Sequence, residues 1–445
     1  MDLETLKALH PVYGGNLGLW NEIDMCMQPG IARNRAAKFC PQRPGEAPEL
    51  YKARLERFAF TPLLSQAVRD LVKKLQTGTL LVDIDPPLLS EQNWLELAGS
   101  ILADWVVYGV TYLMAVSVEG GLSFSTLAPT TVTNWSTDAA EPWFVFKTNR
   151  YTPLEKPGKV EFIPCYGVYQ AGVVEYYREK GGKAVSLDTE SAYITRCAVP
   201  ENYWLAQFGV SKQIQHTWLE NNMTDAAGNL YIQRVRKTPT DSGDLTDTYI
   251  NSVTGAVVTS NSHVVEGDFQ FVEASGSSVM TSLAVLTKLE EQLRQIFSLL
   301  PAGGNSNLSG ESKRYDYAGL ANTLVAFGSM LTTTLRDFLT GATQRLLGVE
   351  ANIGVSGLDN FELNPLEVLL AQSEQLEKLP KLPDSVVRVW YARLSNSLIG
   401  LVDYELRREI LADFVDWQPY AEKAGALTQE THNDTNSRDN TGQRG

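Results

Sequence analysis

No two cysteines in this chain are separated by two residues, and Cys26, Cys40, Cys165 and Cys197 lie far apart, so neither a zinc pattern nor a disulfide framework is indicated. They read as the reduced thiols of a cytosolic protein. Histidine is equally sparse: His10, His216, His263 and His432 have no Cys, His or carboxylate partner at a metal-motif spacing. His216 sits in a polar helical stretch and reads as a surface or interface residue rather than a ligand. The phosphate-cradling pattern G-x-x-x-x-G-K followed by Ser or Thr is missing, because residues 303–313 are rich in Gly and Ser but never set a Lys-Ser pair at the mouth of a helix. Nucleotide hydrolysis is therefore unsupported. There is no G-x-S-x-G elbow to nominate a nucleophile, and a Ser-His-Asp triad meets only in space. Asp83 and Asp85 precede Pro86, where Asp is common for backbone reasons. These absences leave no cofactor, no metal and no catalytic residue to expect.

Long apolar runs are lacking too. The closest, 101–118, is interrupted by Asp104, Tyr108 and Gly109, and residues 1–10 form a polar, helix-like segment without the apolar core of a signal peptide. Neither membrane insertion nor export is expected.

Positive charge is scarce where it would matter for nucleic acid. The formal net charge is -14, and from Thr238 through Thr287 there is no Lys or Arg, whereas Asp241, Asp244, Asp247, Glu266, Asp268 and Glu273 are all present. A surface that grips a phosphate backbone needs the opposite sign. A solvated loop face accounts for such a stretch, and so does a surface that stands beside a polyanion without holding it.

What the chain does have is a soluble, globular composition, 43% hydrophobic and 20% charged, over 445 residues, enough for two or three structural units. The most informative block is 261–348, which reads as a Gly/Ser loop, a helix at 279–300, a second Gly/Ser loop and a longer helix at 319–347. The first helix spaces Leu286, Leu289, Leu293, Ile296 and Leu300 into one apolar seam. The second aligns Leu320, Leu324, Phe327, Leu331, Leu335, Phe338, Ala342 and Leu346, with Thr, Ser and Ala outside. Such a pair reads either as ordinary core helices or as a moving part.

Elsewhere, 51–75 is helical territory broken by Pro62, and 90–108 reads as a helix ended by Gly109. Short β-branched and aromatic runs at 111–118, 122–127, 143–148, 160–164, 173–177 and 191–199 form a β-rich middle. Residues 203–237 read as a polar helix ending in the cations Arg234, Arg236 and Lys237, which would suit a helix C-terminus. Amphipathic patterns at 365–379, 384–401 and 404–414 predict further helices, and 428–445 carries too little apolar surface to fold alone. The fold class is α+β.

Several stretches in order resemble the portal proteins of tailed double-stranded DNA bacteriophages: YKARLERFAFTP at 51–62, the helix-Gly-strand unit at 94–116, LAPTTVTNW at 127–135, ENYWL at 201–205 with QIQH at 213–216 and ENNMTD at 220–225, and SGESK at 309–313 opening a long helix. The likeness spans most of residues 50–415, carried by order and spacing more than by any single motif.

The resemblance implies a portal-type fold with an α/β wing, a β-rich clip, long stem and channel helices and a helical crown. On this chain it implies an N-terminal helical and wing region at 1–150, a β-rich wing or clip region at 151–200, a stem helix with its following segment at 201–260, and the channel loop with its supporting helix at 261–300. A long helix and wing return at 301–362, crown helices at 363–418 and a mobile tail at 419–445 complete it. It further implies a non-enzymatic homo-oligomeric ring, usually a dodecamer, at one capsid vertex of a virion assembled in the host cytoplasm. The major capsid protein, terminase and an adaptor or connector protein would be its partners, with double-stranded DNA passing through the channel during packaging and ejection. Glu266, Asp268, Glu273 and Ser275 are the channel-lining candidates, because DNA must slide past them, and Arg234, Arg236 and Lys237 are candidates for intersubunit pairing or phosphate contact. Ordinary solvated surface accounts for the same residues. A terminase-like packaging enzyme lacks its phosphate loop here, and a tail or adhesin component fits the β-rich middle but not the helical C-terminal third.

Overall fold

The computed structural model describes residues 2–78, 80–85, 93–118, 121–136, 142–153, 160–230, 234–237, 246–250, 257–259, 269–272, 277–299, 310–358 and 361. The expected crown helices and tail, 363–445, lie outside them. The N-terminal part is helical: α1 (Leu3–Lys7), α2 (Pro11–Met27), α3 (Pro29–Asn34), α4 (Ala36–Phe39), α5 (Pro48–Glu56) and α6 (Leu63–Leu75). Caps set their starts. The Asp2 carboxylate accepts from the Thr5 N–H at 2.7 Å, and Pro11, Pro29 and Pro48 sit in first turns, where a missing N–H costs nothing.

Strand β1 (Leu80–Asp85) leads to α7 (Trp94–Tyr108), capped by Asn93 and closed by Gly109 in the left-handed region at φ 74°. A Cβ at position 109 would also lie 3.0 Å from the Trp204 ring, so glycine is required there for both backbone and space. The chain then lays down β2 (Val110–Val118), β3 (Gly121–Leu127), β4 (Val132–Trp135), β5 (Trp143–Pro153), β6 (Val160–Gln170), β7 (Val173–Lys180) and β8 (Lys183–Ala198). They form one antiparallel seven-stranded sheet, ordered β3-β2-β8-β7-β6-β5-β4. Because β5 runs across position 150, the strands before and after it are one structural unit.

Residues 110–115 of β2 are all buried, which happens only when both faces of a strand are covered. Leu113 and Ala115 enter the main core with α6 and α7, while Val110, Tyr112 and Met114 enter a second core with Tyr13 and Trp20 of α2. Fully burying one such side chain contributes about 1.5–3 kcal/mol.

Beyond the sheet come α8 (Ala206–Leu230), strands β9 (Arg234–Lys237), β10 (Thr246–Ile250), β11 (Val257–Thr259) and β12 (Phe269–Val272), then α9 (Ser277–Ile296) and α10 (Gly310–Ala342). Strands β11-β10-β9-β12 make a separate antiparallel sheet. A π-helical turn, Thr343–Leu347, ends α10, and Gly348 at φ 66° releases the chain to β13 (Asn352–Gly357), which pairs with β1.

The expected stripe of α10 is present, but its role differs from that of a moving part. Leu320, Leu324, Phe327, Leu331, Leu335, Phe338 and Ala342 lie in the centre of the main core beside α6, α7 and β13. A helix that fills the core cannot swing without emptying it. Its outer face is not free of charge, since Arg336 and Asp337 are exposed there, but Thr323, Thr333 and Thr340 on it return their hydroxyls to the carbonyls four residues back.

Candidate functional site

Helix α8 has almost no apolar side, and the structure shows why that is tolerated. Its buried stripe is polar: Gln213, Thr217 and Asn221, four residues apart, face the backbone of residues 59–64. Helix α6 starts after Pro62 without a side-chain cap of its own. Gln213 supplies one, its Oε1 accepting from the Leu64 N–H at 2.9 Å while Nε2 donates to the Thr61 carbonyl at 2.8 Å and the Thr217 hydroxyl at 3.0 Å. Asn221 accepts from the Ala59 N–H at 3.0 Å and donates to the Ala59 and Thr217 carbonyls, both at 2.8 Å. Glu220 accepts from the Thr61 hydroxyl at 2.8 Å. The polarity of α8 is thus spent on backbone groups that would otherwise be buried unpaired.

Toward the end of α8 an ion network takes over. Asp225 lies 2.9 Å from Arg43, 3.9 Å from Arg54 and 4.0 Å from Arg57. Arg54 is buried and holds Glu46 through two parallel hydrogen bonds of 2.9 and 2.7 Å, with a third bond to the Pro41 carbonyl. Those bonds from Arg54 bring the Glu46 carboxyl down to about 2. The network fastens the 40–57 segment to α8.

Helix α9 packs on α8, and the order of contacts shows the two to be antiparallel. A Cβ on Gly209 would meet Phe297, while His216 meets Glu290. The apolar seam expected on α9 is real: Leu286, Leu289 and Leu293 are buried, and Ile296 packs against the core. Leu300 lies outside the described residues. His216 is not a surface residue. It is 3% exposed and stands between the helices, Nε2 at 3.2 Å from Glu290 and Nδ1 at 3.8 Å from Glu220.

The outer faces of this two-helix column are apolar and uncovered. Phe208 and Trp218 on α8, and Met280, Leu283 and Val285 on α9, are exposed, Met280 by 66%. From Ser277 through Thr287 the helix carries no charged residue at all. The charge-free run belongs to the first half of α9, where Met280 and Leu283 share one side of the helix and Val285 the other.

The cationic group is placed differently from expectation. Arg234, Arg236 and Lys237 are not at a helix C-terminus, because α8 ends at Leu230 and these residues form β9, an interior strand of the small sheet. In register, Arg236 stands opposite Asp247 and Gln270, Lys237 opposite Thr246 and Phe269, and Arg234 opposite Tyr249 and Val272. Arg and Lys have little strand preference of their own. The neighbours β10 and β12 decide the outcome by pairing both edges of β9, information that is non-local. Glu266, Asp268, Glu273 and Ser275 lie outside the described residues, with Asp268 and Glu273 flanking β12 in the chain.

Sequence reasoning missed the cap from Gln213, the Arg54–Glu46 pair and the buried position of His216. The repeat Gln213, Thr217, Asn221 at four-residue steps was the available signal, since polar residues can make a buried face when they have backbone to bind.

No protein-family model matches the chain, and no curated protein matches it. Among solved structures, a chain of "Virion of native gene transfer agent (GTA) particle" is 13% identical over 84% of this chain and 96% of its own, with a TM-score of 0.36. A chain of "Neck of empty GTA particle computed with C6 symmetry" is 13% identical over 79% and 95%, with a TM-score of 0.38. At that identity and those scores the likeness assigns neither function nor partner to this chain.

Proposed function

We propose that this chain is a portal, a head-tail connector whose copies close into a ring at one capsid vertex and let DNA pass during packaging and ejection. The observation that carries the reading is the α8–α9 column. Its inner side is tied to the body by polar bonds, while Trp218, Met280 and Leu283 stand exposed to solvent. Copies standing side by side around an axis would cover those side chains, which a lone chain leaves wet.

The order of elements supports the same reading: a wing of helices and sheet, an antiparallel helix pair, and a small sheet inserted between its two members. A small sheet joining two stem helices is better placed to be the clip than residues 151–200, whose strands belong to the large sheet. Terminase during packaging and an adaptor afterwards are the partners proposed for it. Within the ring, the cation-free segment that carries Glu266, Asp268, Glu273 and Ser275 would stand beside DNA without binding its phosphates, which keeps translocation free of counterion-release energy.

The test is negative-stain electron microscopy of the purified full chain, alone and with the capsid protein. Closed rings with a central hole are expected. A chain that stays monomeric under both conditions contradicts the proposal.

A further inference from the structure

On the far side of the large sheet from α10, a cleft of about 330 Å³ opens between α2, the α7–β2 junction, β4, the end of β8 and the turn at 199–204. It is independent of the α8–α9 column and of the ring reading. Its walls are indoles. Trp20 and Trp135 are almost fully buried and Trp204 is half-buried. The Trp20 N–H already donates to the Tyr108 carbonyl at 3.3 Å, and that of Trp204 to the Val107 carbonyl at 2.7 Å. These two rings therefore offer the cleft aromatic surface and no hydrogen bond.

The polar side chains are few: Asn16, Tyr112, Arg196 and Glu201. Tyr112 lines the cleft and is 0% exposed; the Arg196 guanidinium hydrogen-bonds its oxygen, and its own O–H proton has no acceptor among the described residues. Such a group costs about 1–3 kcal/mol when left unmade. Burial pushes the phenol up to about 12 against the pull of Arg196, so it stays protonated and can donate. Arg196 is the cross-strand partner of Tyr112 and lies 5.3 Å over the Trp135 ring, with no ion pair among the described residues. His10 stacks on Trp135 at 3.9 Å, and burial, then Arg196, push its imidazole down, so it stands neutral beside the site. Glu201 lines the cleft as an exposed carboxylate that repels a ligand carboxylate, which leaves the Arg196 end as the place for one.

The geometry points to a binding site for a planar aromatic group bearing one carboxylate, with the ring among Trp20, Trp135 and Trp204 and the carboxylate toward Arg196 and the Tyr112 hydroxyl. The volume admits one ring with a short acidic arm. A free aromatic acid and the C-terminal aromatic residue of a polypeptide share this chemistry.

Titration calorimetry on the full chain tests it, using phenylacetate, phenylacetamide, and the tripeptide Ala-Ala-Phe with a free or amidated C-terminus. Saturable binding of the free acids is expected, with the amides about tenfold weaker or worse, since a charge-assisted hydrogen bond is lost. Arg196→Gln should remove that preference without loss of thermal stability, and Tyr112→Phe should weaken the acids several-fold while the thermal unfolding temperature holds or rises, because an unmade hydroxyl bond is removed. Tighter binding of the tripeptide than of phenylacetate identifies a polypeptide end as the ligand, and equal binding identifies a small acid. Absence of saturable binding, or equal affinity for acid and amide, overturns the assignment.

Discussion

Gln213 is a polar side chain whose value lies entirely in what it touches. Removing its amide strands the Leu64 N–H inside the α6–α8 contact, while the Thr61 carbonyl keeps the Leu63 N–H at 2.9 Å. Gln213→Leu should therefore cost about 1–3 kcal/mol in urea unfolding, whereas a solvent-facing glutamine would cost almost nothing. Glu46 makes a second residue-scale prediction. Its carboxyl titrates near 2 in the folded chain, below the ordinary 4.5, so it stabilises the fold above pH 4.5 and loses that contribution as pH falls from 4.5 toward 2. Unfolding of wild type measured against Glu46→Gln should show a gap at neutral pH that closes across that window. A constant gap would mean that Glu46 acts by packing alone. Neither residue stood out in the sequence, because a carbonyl or a guanidinium brought close by folding leaves no local mark.

At the level of elements, α10 was the most legible part of the chain. Eight apolar positions at helical spacing mark the buried face without help from tertiary structure; the seven from Leu320 to Ala342 are buried, and Leu346, in the π-helical turn, is only half-buried. What periodicity cannot report is how closely the backbone approaches its neighbours. Gly328 is the case in point, since a Cβ there would lie 1.9 Å from the Leu358 carbonyl oxygen, on a turn where Leu358 itself has φ 56°. Gly328→Ala should destabilise by about 1–3 kcal/mol or prevent folding, because α10 and the turn must part. Gly319, on the same helix, has open space where a methyl would stand, and Gly319→Ala should stabilise by about 0.5–1 kcal/mol. Thermal unfolding of the two variants should move in opposite directions. The β9 residues show the converse of α10: with only four residues and three cations, their state is settled by strands that follow later in the chain rather than by their own pattern.

For the whole molecule, the α+β class and six of the seven strands of the large sheet could be read from β-branched and aromatic runs, whereas the four-residue β4 and the first half of β8 could not. The sheet order could not, because it depends on which hairpins meet. The candidate assembly surface was legible only in part. The charge-free start of α9 is visible in sequence, but that Trp218 is exposed on the helix packed against it is not. If this surface is the contact between copies, Trp218→Asp combined with Leu283→Asp should leave the chain folded, with unchanged far-ultraviolet circular dichroism, while abolishing assembly. Changing Glu266→Lys or Asp268→Lys should leave assembly intact and lower DNA packaging, since a cation in each copy would hold the duplex. The measurement that bears most directly on the central claim is the native mass spectrum of the wild-type chain beside that of the Trp218→Asp, Leu283→Asp double variant. The account predicts one closed, ring-sized oligomer for the former and monomer for the latter. A monomeric wild type, or a double variant that assembles as well as the wild type, would contradict it.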